Sequence, residues 1–287
     1  MIELIQEKLN NYSARNAIEE ENSIKEILQE IALYSLWRSD FFNVALFQGG
    51  TSLRILHGLP RFSEDLDFML RQPDPQFDWQ HYLEPLLQTF SEFGIKSEAL
   101  PRGNVDKRIR QAMIKSNSIA SQLNLSFADC TPNKKLRIKL EIDIAPPPYS
   151  GEAETFLDFP LDHRVRHQNL ESNFALKIHA LLCWGFLKGR DWYDFSWYVS
   201  KGVFPNLPHL QAALTQFGPW SEKQELNVDI DWVSRELDAA IKRVDWSKAA
   251  QDVSRFLRPS EARSLELWGA PFFVSKLNKL IASAPQA

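Results

Sequence analysis

Cysteine is almost absent: Cys130 and Cys183 are the only two in 287 residues, and they stand in unrelated contexts. Thiols so placed make neither a disulfide framework nor a zinc-binding spacing, so a reducing, cytoplasmic setting is expected. Long apolar runs are missing too. No stretch approaches the roughly 20 apolar residues needed to cross a bilayer. The acidic opening MIELIQEKLNNYSARNAIEEENS lacks the unbroken apolar segment of a secretory signal, so no membrane partner is expected. Positive charge is not in excess either. With 33 Lys and Arg against 37 Asp and Glu, the net charge of -4 argues against a protein that coats nucleic acid through its overall charge. Internal repeats and low-complexity tracts are absent.

What is present is a globular balance of 44% hydrophobic and 24% charged residues, in a chain long enough for one large domain or two small ones. Residues 19–38 (EEENSIKEILQEIALYSLWR) place Ile24, Ile27, Leu28, Ile31 and Tyr34 at helical spacing, with acids first and an arginine last, as the helix dipole favours. Val44–Phe47 predicts a strand, and TSLRILHG a short helix ending at Gly58. In FSEDLDFML, residues 62–70, Phe62, Leu66, Phe68 and Leu70 share one face of a predicted strand, and Ser63, Asp65 and Asp67 share the other.

A helix over 79–94 is expected to end at Gly94, and 101–117 reads as basic and loop-like at its start. The clearest alternation is KLRIKLEIDI, residues 135–144. Leu136, Ile138, Leu140, Ile142 and Ile144 face inward, while Arg137, Lys139, Glu141 and Asp143 share the outer face. The prolines of APPPYSGE then break the chain, and from about residue 168 the pattern is helical to the end, with turns near Pro205, Pro219 and Pro259.

Nucleotide transfer needs backbone N–H groups that approach a triphosphate, which favours glycines at a helix N-terminus. It also needs carboxylates that hold divalent metal through hard oxygen ligands. Gly49-Gly50 stands before the short helix, Asp65 and Asp67 lie on one strand face, and Glu141 and Asp143 are both available on another. Each feature alone has a plainer reading: a tight turn, a solvated strand surface, the wet side of an antiparallel sheet. Their order along the chain is the order that a nucleotidyltransferase palm requires.

The stretch GGTSLRILHGLPRFSEDLDF resembles the signature of the AbiEii/AbiGii group of nucleotidyltransferase-like toxins. That signature, Gly-Gly-Thr-x-Leu and then Arg-x-Ser-x-Asp-x-Asp, is met by Gly49, Gly50, Thr51, Leu53, Arg61, Ser63, Asp65 and Asp67. A second block, LKIHALLCWGFLKGRDWYDFSWYV, resembles the family's Lys-x-x-Ala-Leu helix followed by Arg-Asp-x-x-Asp, with Lys177, Ala180, Leu181, Arg190, Asp191 and Asp194 at the matching positions. Ser52 replaces the family's usual alanine, and the resemblance covers about residues 20–200.

The resemblance implies an α+β fold: a polymerase-β-like mixed-sheet domain over residues 1–165, with an N-terminal helix, then a helical domain over 166–287. It implies Mg2+ (or Mn2+) and a nucleoside triphosphate (NTP) as substrate, transfer of a nucleotide with release of pyrophosphate, and a cognate antitoxin. MenT-type relatives add nucleotides to the 3′ end of tRNA, so tRNA, another RNA or a protein is the implied acceptor. Asp65 and Asp67 become metal ligands, with Glu141 or Asp143 as the third carboxylate; Glu141 matches the family strand better, and both face the same way. Gly49, Gly50, Thr51, Ser52 and Ser63 fall to the nucleotide, Lys177 to its phosphates, and Asp191 to catalysis ahead of Asp194.

Two other functions fit the same residues: a catalytically silent protein that binds a nucleotide or partner, and a kinase-like enzyme that transfers the γ-phosphate. Of the histidines, His163 and His167 have a helix-compatible metal spacing but lack a hydrolase glutamate, and read as a surface pair. Arg102, Lys107, Arg108, Arg110 and Lys115 form a local basic cluster, a solvated face or else the first candidate for RNA phosphate contacts.

Overall fold

In the computed structural model of the chain, residues 1–106, 108–116, 119, 121–127, 136–183, 188–221 and 225–285 are described, with backbone only at 102–106. The elements run α1 (Ile2–Tyr12), α2 (Ala17–Arg38), β1 (Ala45–Gln48), α3 (Gly49–His57), β2 (Asp65–Leu70), α4 (Gln80–Glu92), β3 (Ser97–Asp106), β4 (Ile109–Ser116), β5 (Leu136–Asp143), β6 (Glu152–Leu157) and β7 (His163–Gln168). Helices α5 (Leu170–Cys183), α6 (Gly189–Lys201), α7 (Leu207–Gln216), α8 (Ile230–Arg243), α9 (Trp246–Ser254), α10 (Pro259–Ala262) and α11 (Ala270–Ala282) follow. The class is α+β, as expected. Among the described residues no helix is long and apolar enough to cross a membrane.

The strands form one mixed sheet in the order β3-β4-β5-β2-β1-β7-β6. Its central pair, β2 and β5, is parallel, while β1 runs antiparallel to β2 and β4 antiparallel to β5. Two compact units divide the chain. The first comprises Met1–Gly58, Phe62–Pro146 and Ala153–His167; the second comprises Leu59–Arg61, Pro147–Glu152 and Gln168–Ala287.

In the first unit the inward faces of β2 and β5 (Leu66, Phe68, Ile138, Leu140, Ile142) join Ile27, Ile31 and Leu83 of the helices in one apolar core. The start of α2 is set by Asn16, whose Oδ1 accepts from the Glu19 N–H at 2.9 Å while its Nδ2 donates to Glu19 Oε1 at 3.0 Å. Helix α2 is buried on nearly every side, so its polar residues need partners inside the protein. Arg54 of α3 meets Glu26 at 2.8 Å, Lys8 of α1 meets Glu30 at 3.0 Å, and Tyr12 donates to Glu26 at 2.9 Å. These bonds tie α1, α2 and α3 together.

The second unit packs around aromatic rings, with Phe174 stacked on Tyr198 at 4.4 Å and Trp246 on Phe273 at 4.1 Å. Helices α6 and α9 cross so closely that a Cβ on Gly189 would lie 1.9 Å from the Ala249 carbonyl oxygen.

Two sequence expectations need correction, and two strands were not foreseen. The basic stretch 101–117 is not loop-like at its start: residues 101–106 belong to β3 and 109–116 to β4, which β5 holds in the sheet. The short, alternately charged runs of β6 and β7 are strands of the same sheet, which periodicity over so few residues did not reveal. His163 and His167 are therefore on a strand, not a helix, and both are buried, so they are no surface pair. His163 packs edge-on against Tyr34, and His167 contacts Thr155 Oγ1 at 2.9 Å and the ring of His57. Burial, helped by His167, pushes His57 down to about 4.

Candidate active site

Asp65 and Asp67 stand on β2 beside β5, and the parallel register sets Asp65 against Lys139, Asp67 against Glu141, and Met69 against Asp143. Residues paired across a sheet share a face, so Asp65, Asp67, Lys139 and Glu141 form one polar patch. Asp143 shares the face but sits at its end, flanked by Met69 and Ile109, and its Oδ1 accepts the Ala145 N–H at 2.9 Å. Of the two candidates for the third carboxylate, Glu141 is the one beside Asp67.

The patch already holds a cation. Lys139 Nζ lies 3.0 Å from Glu141 Oε2 and 3.8 Å from Asp65 Oδ2. Burial opposes that charge, but Asp65, Glu141 and Asp67 outweigh it and raise the lysine above its ordinary value. Gln111 of β4 donates to Glu141 from the other side. A cavity of about 290 Å³ opens beside Asp65, with Lys25, Glu64, Met113, Arg137 and Lys139 on its walls. Among the described residues no three His, Cys, Asp or Glu side chains are gathered to hold a metal as they stand. The donor chemistry nevertheless suits one, because carboxylate oxygens are the hard ligands of Mg2+ and Mn2+ and here they already bind an ammonium.

The glycines form the first turn of α3 rather than preceding it. Gly49 has φ +77°, and a Cβ there would fall 2.5 Å from Asp67 Oδ2, so the β1–α3 turn and the Asp67 side chain touch. Gln48 supplies no side-chain cap to the helix, since its Nε2 donates to the Phe68 carbonyl at 3.2 Å. The hydroxyls of Thr51 and Ser52 are buried and work within the protein: Thr51 donates to the Asp65 carbonyl and Ser52 to that of Gly49 at 2.9 Å. Thr51 thus ties the start of α3 to the start of β2. Ser63 lies just before β2, its carbonyl accepting from Gln29 at 3.1 Å.

The second motif block builds a separate cluster inside the helical unit. Arg61, only 2% exposed, makes a bidentate pair with Asp194, both bonds at 2.6 Å. Lys177 of α5 lies 2.8 Å from Asp191 Oδ1 and 2.9 Å from Asp194 Oδ2. Two cations meet two carboxylates, so the cluster is neutral overall. Burial disfavours charge on Lys177 and on Asp194, but the pairing prevails: Lys177 is raised and Asp194 lowered from their ordinary values. Asp194 is thus the buried partner of Arg61 and Lys177, and Arg190 lies over the Phe256 ring at 4.6 Å. Asp191 also borders a cleft of about 570 Å³ in this unit, with Lys188, Trp192, Arg243 and Lys248 on its walls.

The basic cluster 102–115 is not one patch. Arg110 pairs in register with Ile142 on the core side of β4, whereas Lys115 pairs with Arg137 on the other. Lys107 and the side chain of Arg102 lie outside the described residues.

The profile described as "Nucleotidyl transferase AbiEii toxin, Type IV TA system" matches residues 31–271. This chain belongs to the AbiEii nucleotidyltransferase toxin family. Membership in a family of type IV toxins brings with it an antitoxin counterpart. No curated protein sequence matches the chain. Among solved structures it is similar to JHP933 of Helicobacter pylori at 18% identity and a TM-score of 0.49, covering 92% of this chain and 96% of that one. A second H. pylori structure, of a provisionally named nucleotidyltransferase, gives 18% identity and 0.46 over 88% and 94%. An antigenic nucleotidyltransferase-like protein of Paracoccidioides brasiliensis gives 16% and 0.41 over 83% and 96%.

For this AbiEii chain, sequence reasoning passed over Lys139, Gln111 and the role of Arg61. Lys139 was visible beside Glu141 on the outer face of KLRIKLEIDI, yet only the strand register puts it against Asp65. Arg61 fitted the motif, but its partner lies 133 residues away.

Proposed function

We propose that the chain is a Mg2+- or Mn2+-dependent nucleotidyltransferase that moves a nucleotide from an NTP to an acceptor hydroxyl, with an RNA 3′ end such as that of tRNA as the leading acceptor. The observation that carries this reading is the in-register pairing of Asp67 with Glu141 beside Asp65, directly against the Gly49 turn of α3. Asp65, Asp67 and Glu141 would hold the metal, which when bound orients the attacking oxygen and offsets charge on the leaving pyrophosphate. The first turn of α3, which carries Gly49 and Gly50, offers backbone N–H groups and the positive end of the helix dipole to the triphosphate.

In the reaction the acceptor oxygen bonds to the α-phosphorus as the bond from that phosphorus to the bridging oxygen breaks. Pyrophosphate leaves with the bonding electrons, and the hydroxyl proton passes to a carboxylate of the face and on to water. Lys177 and Asp191 are assigned to phosphate positioning and catalysis, roles that require their ion pair to open. Transfer to a cellular RNA is what would make the protein toxic and give a cytoplasmic antitoxin its purpose.

The test is incubation with Mg2+, total RNA and each NTP labelled in turn at the α- and γ-phosphate. Label from the α-position on RNA, with pyrophosphate released, supports the reading. Label from the γ-position, with diphosphate released, makes the protein a kinase. Triphosphate binding with no transfer at all makes it a silent binder.

A further inference from the structure

The polar face of β2 and β5 holds a positive charge in the place where the proposed reaction needs a divalent one. Lys139 stands in register with Asp65 on one side and Met113 on the other, and shares its strand face with Glu141. Its ammonium spans the two acids, 3.0 Å from Glu141 Oε2 and 3.8 Å from Asp65 Oδ2. At such distances an ammonium and a divalent ion on the same carboxylates repel, so a metal bound there would drive the ammonium off them. Lys139 also lines the cavity beside Asp65, whose walls carry Arg137, Glu64 and the pair of Lys25 with Glu21, 3.1 Å apart. That cavity is open space within reach of the ammonium, and Arg137 on its wall would add a second positive charge for a triphosphate.

We propose that Lys139 is an exchanging counter-ion, pairing with Asp65 and Glu141 until a divalent cation takes them, and then positioning the triphosphate from the wall of the adjoining cavity. The inference rests on the nucleotidyltransferase reading above and adds to it a residue outside both sequence motifs. One ammonium that must leave the carboxylates for metal, and is drawn off them by phosphate, makes the two ligands bind cooperatively. Lysine suits this exchange because it carries a compact point charge on a flexible stem.

The experiment is calorimetric titration of wild-type, Lys139→Gln and Lys139→Arg proteins with Mn2+ alone, and then with α,β-methylene analogues of the four NTPs at saturating Mn2+. Lys139 is 29% exposed in its side chain, so neither substitution empties the core; circular dichroism checks the fold. Lys139→Gln should bind Mn2+ about tenfold more tightly and the analogue about tenfold more weakly, with Lys139→Arg near wild type in both. A merely structural lysine would shift both affinities in the same direction, and that result, or no change in either, overturns the inference. Tighter Mn2+ binding with unchanged analogue affinity also overturns it, since the lysine then never reaches the triphosphate. If wild-type protein binds Mn2+ but none of the analogues, the proposed function fails, and with it the positioning role of Lys139.

Discussion

Replacing Gly49 by alanine should harm the protein in two ways that a second glycine can separate. Gly49 and Gly58 bracket the same helix, α3, with φ of +77° and +70°. An L-residue in that region costs roughly 1–2 kcal/mol, because its Cβ crowds the backbone. At Gly58 nothing else opposes the change, since nothing lies within 4 Å of the added Cβ. At Gly49 the Cβ would sit 2.5 Å from Asp67 Oδ2, 3.0 Å from its Cβ and 3.1 Å from its Cγ. Because three atoms of the side chain are involved, rotating the carboxylate does not relieve the contact, and β2 or the β1–α3 turn has to shift. Overpacking of this kind costs typically about 1–3 kcal/mol more. The expected losses in urea denaturation are therefore about 1–2 kcal/mol for Gly58→Ala and about 2–5 kcal/mol for Gly49→Ala. Displacing Asp67 also displaces a proposed metal ligand, so Gly49→Ala should weaken Mn2+ binding at least about tenfold while Gly58→Ala leaves it unchanged. Equal stability losses and equal Mn2+ affinities in the two variants would refute the reasoning and reduce Gly49 to an ordinary turn residue.

Asp65→Asn keeps the shape of the site but removes a ligand charge; α-label transfer to RNA should fall at least about a hundredfold, close to 3 kcal/mol of barrier, with unchanged circular dichroism. Asp194→Asn should lower stability by about 3–5 kcal/mol in urea denaturation, because it leaves Arg61 buried with its bidentate partner gone. The folded pKa of Asp194 is depressed, so in the wild type its contribution is present above the ordinary carboxylate range and is lost as pH falls below it; the asparagine variant should show a shallower acid limb. Glu30 behaves in the opposite sense. Burial raises it to about 7 against the pull of Lys8, so its stabilising contribution is full below pH 4.5 and is lost as pH rises to about 7. Urea midpoints of the wild type should therefore fall between pH 5 and 8, and Glu30→Gln should flatten that slope.

The first motif block and its strand were legible from the chain because the information is local. Strand alternation puts Asp65 and Asp67 on one face and Glu141 and Asp143 on another whatever the partners are, and a glycine ends α3 at residue 58 because its φ of +70° favours one. The edge strands were less legible. Residues 101–117 carry charge and breaking residues that read as loop, and the backbone bonds that make strands of 101–106 and 109–116 are formed with β5 and with each other.

Alternation, however, is silent on register. It left Glu141 and Asp143 equivalent, and the parallel pairing of β2 with β5 separated them by setting Glu141 against Asp67 and Asp143 against Met69. The same pairing brought Lys139 onto the carboxylates. The chain likewise presented Lys177, Asp191 and Asp194 as one motif, but Arg61, more than a hundred residues earlier, turned Asp194 into a buried ion-pair partner. The period of side chains belongs to each segment alone, whereas which charges meet depends on how segments pair. That is decided by burying the apolar faces on both sides of the choice, and it exists only in the folded molecule.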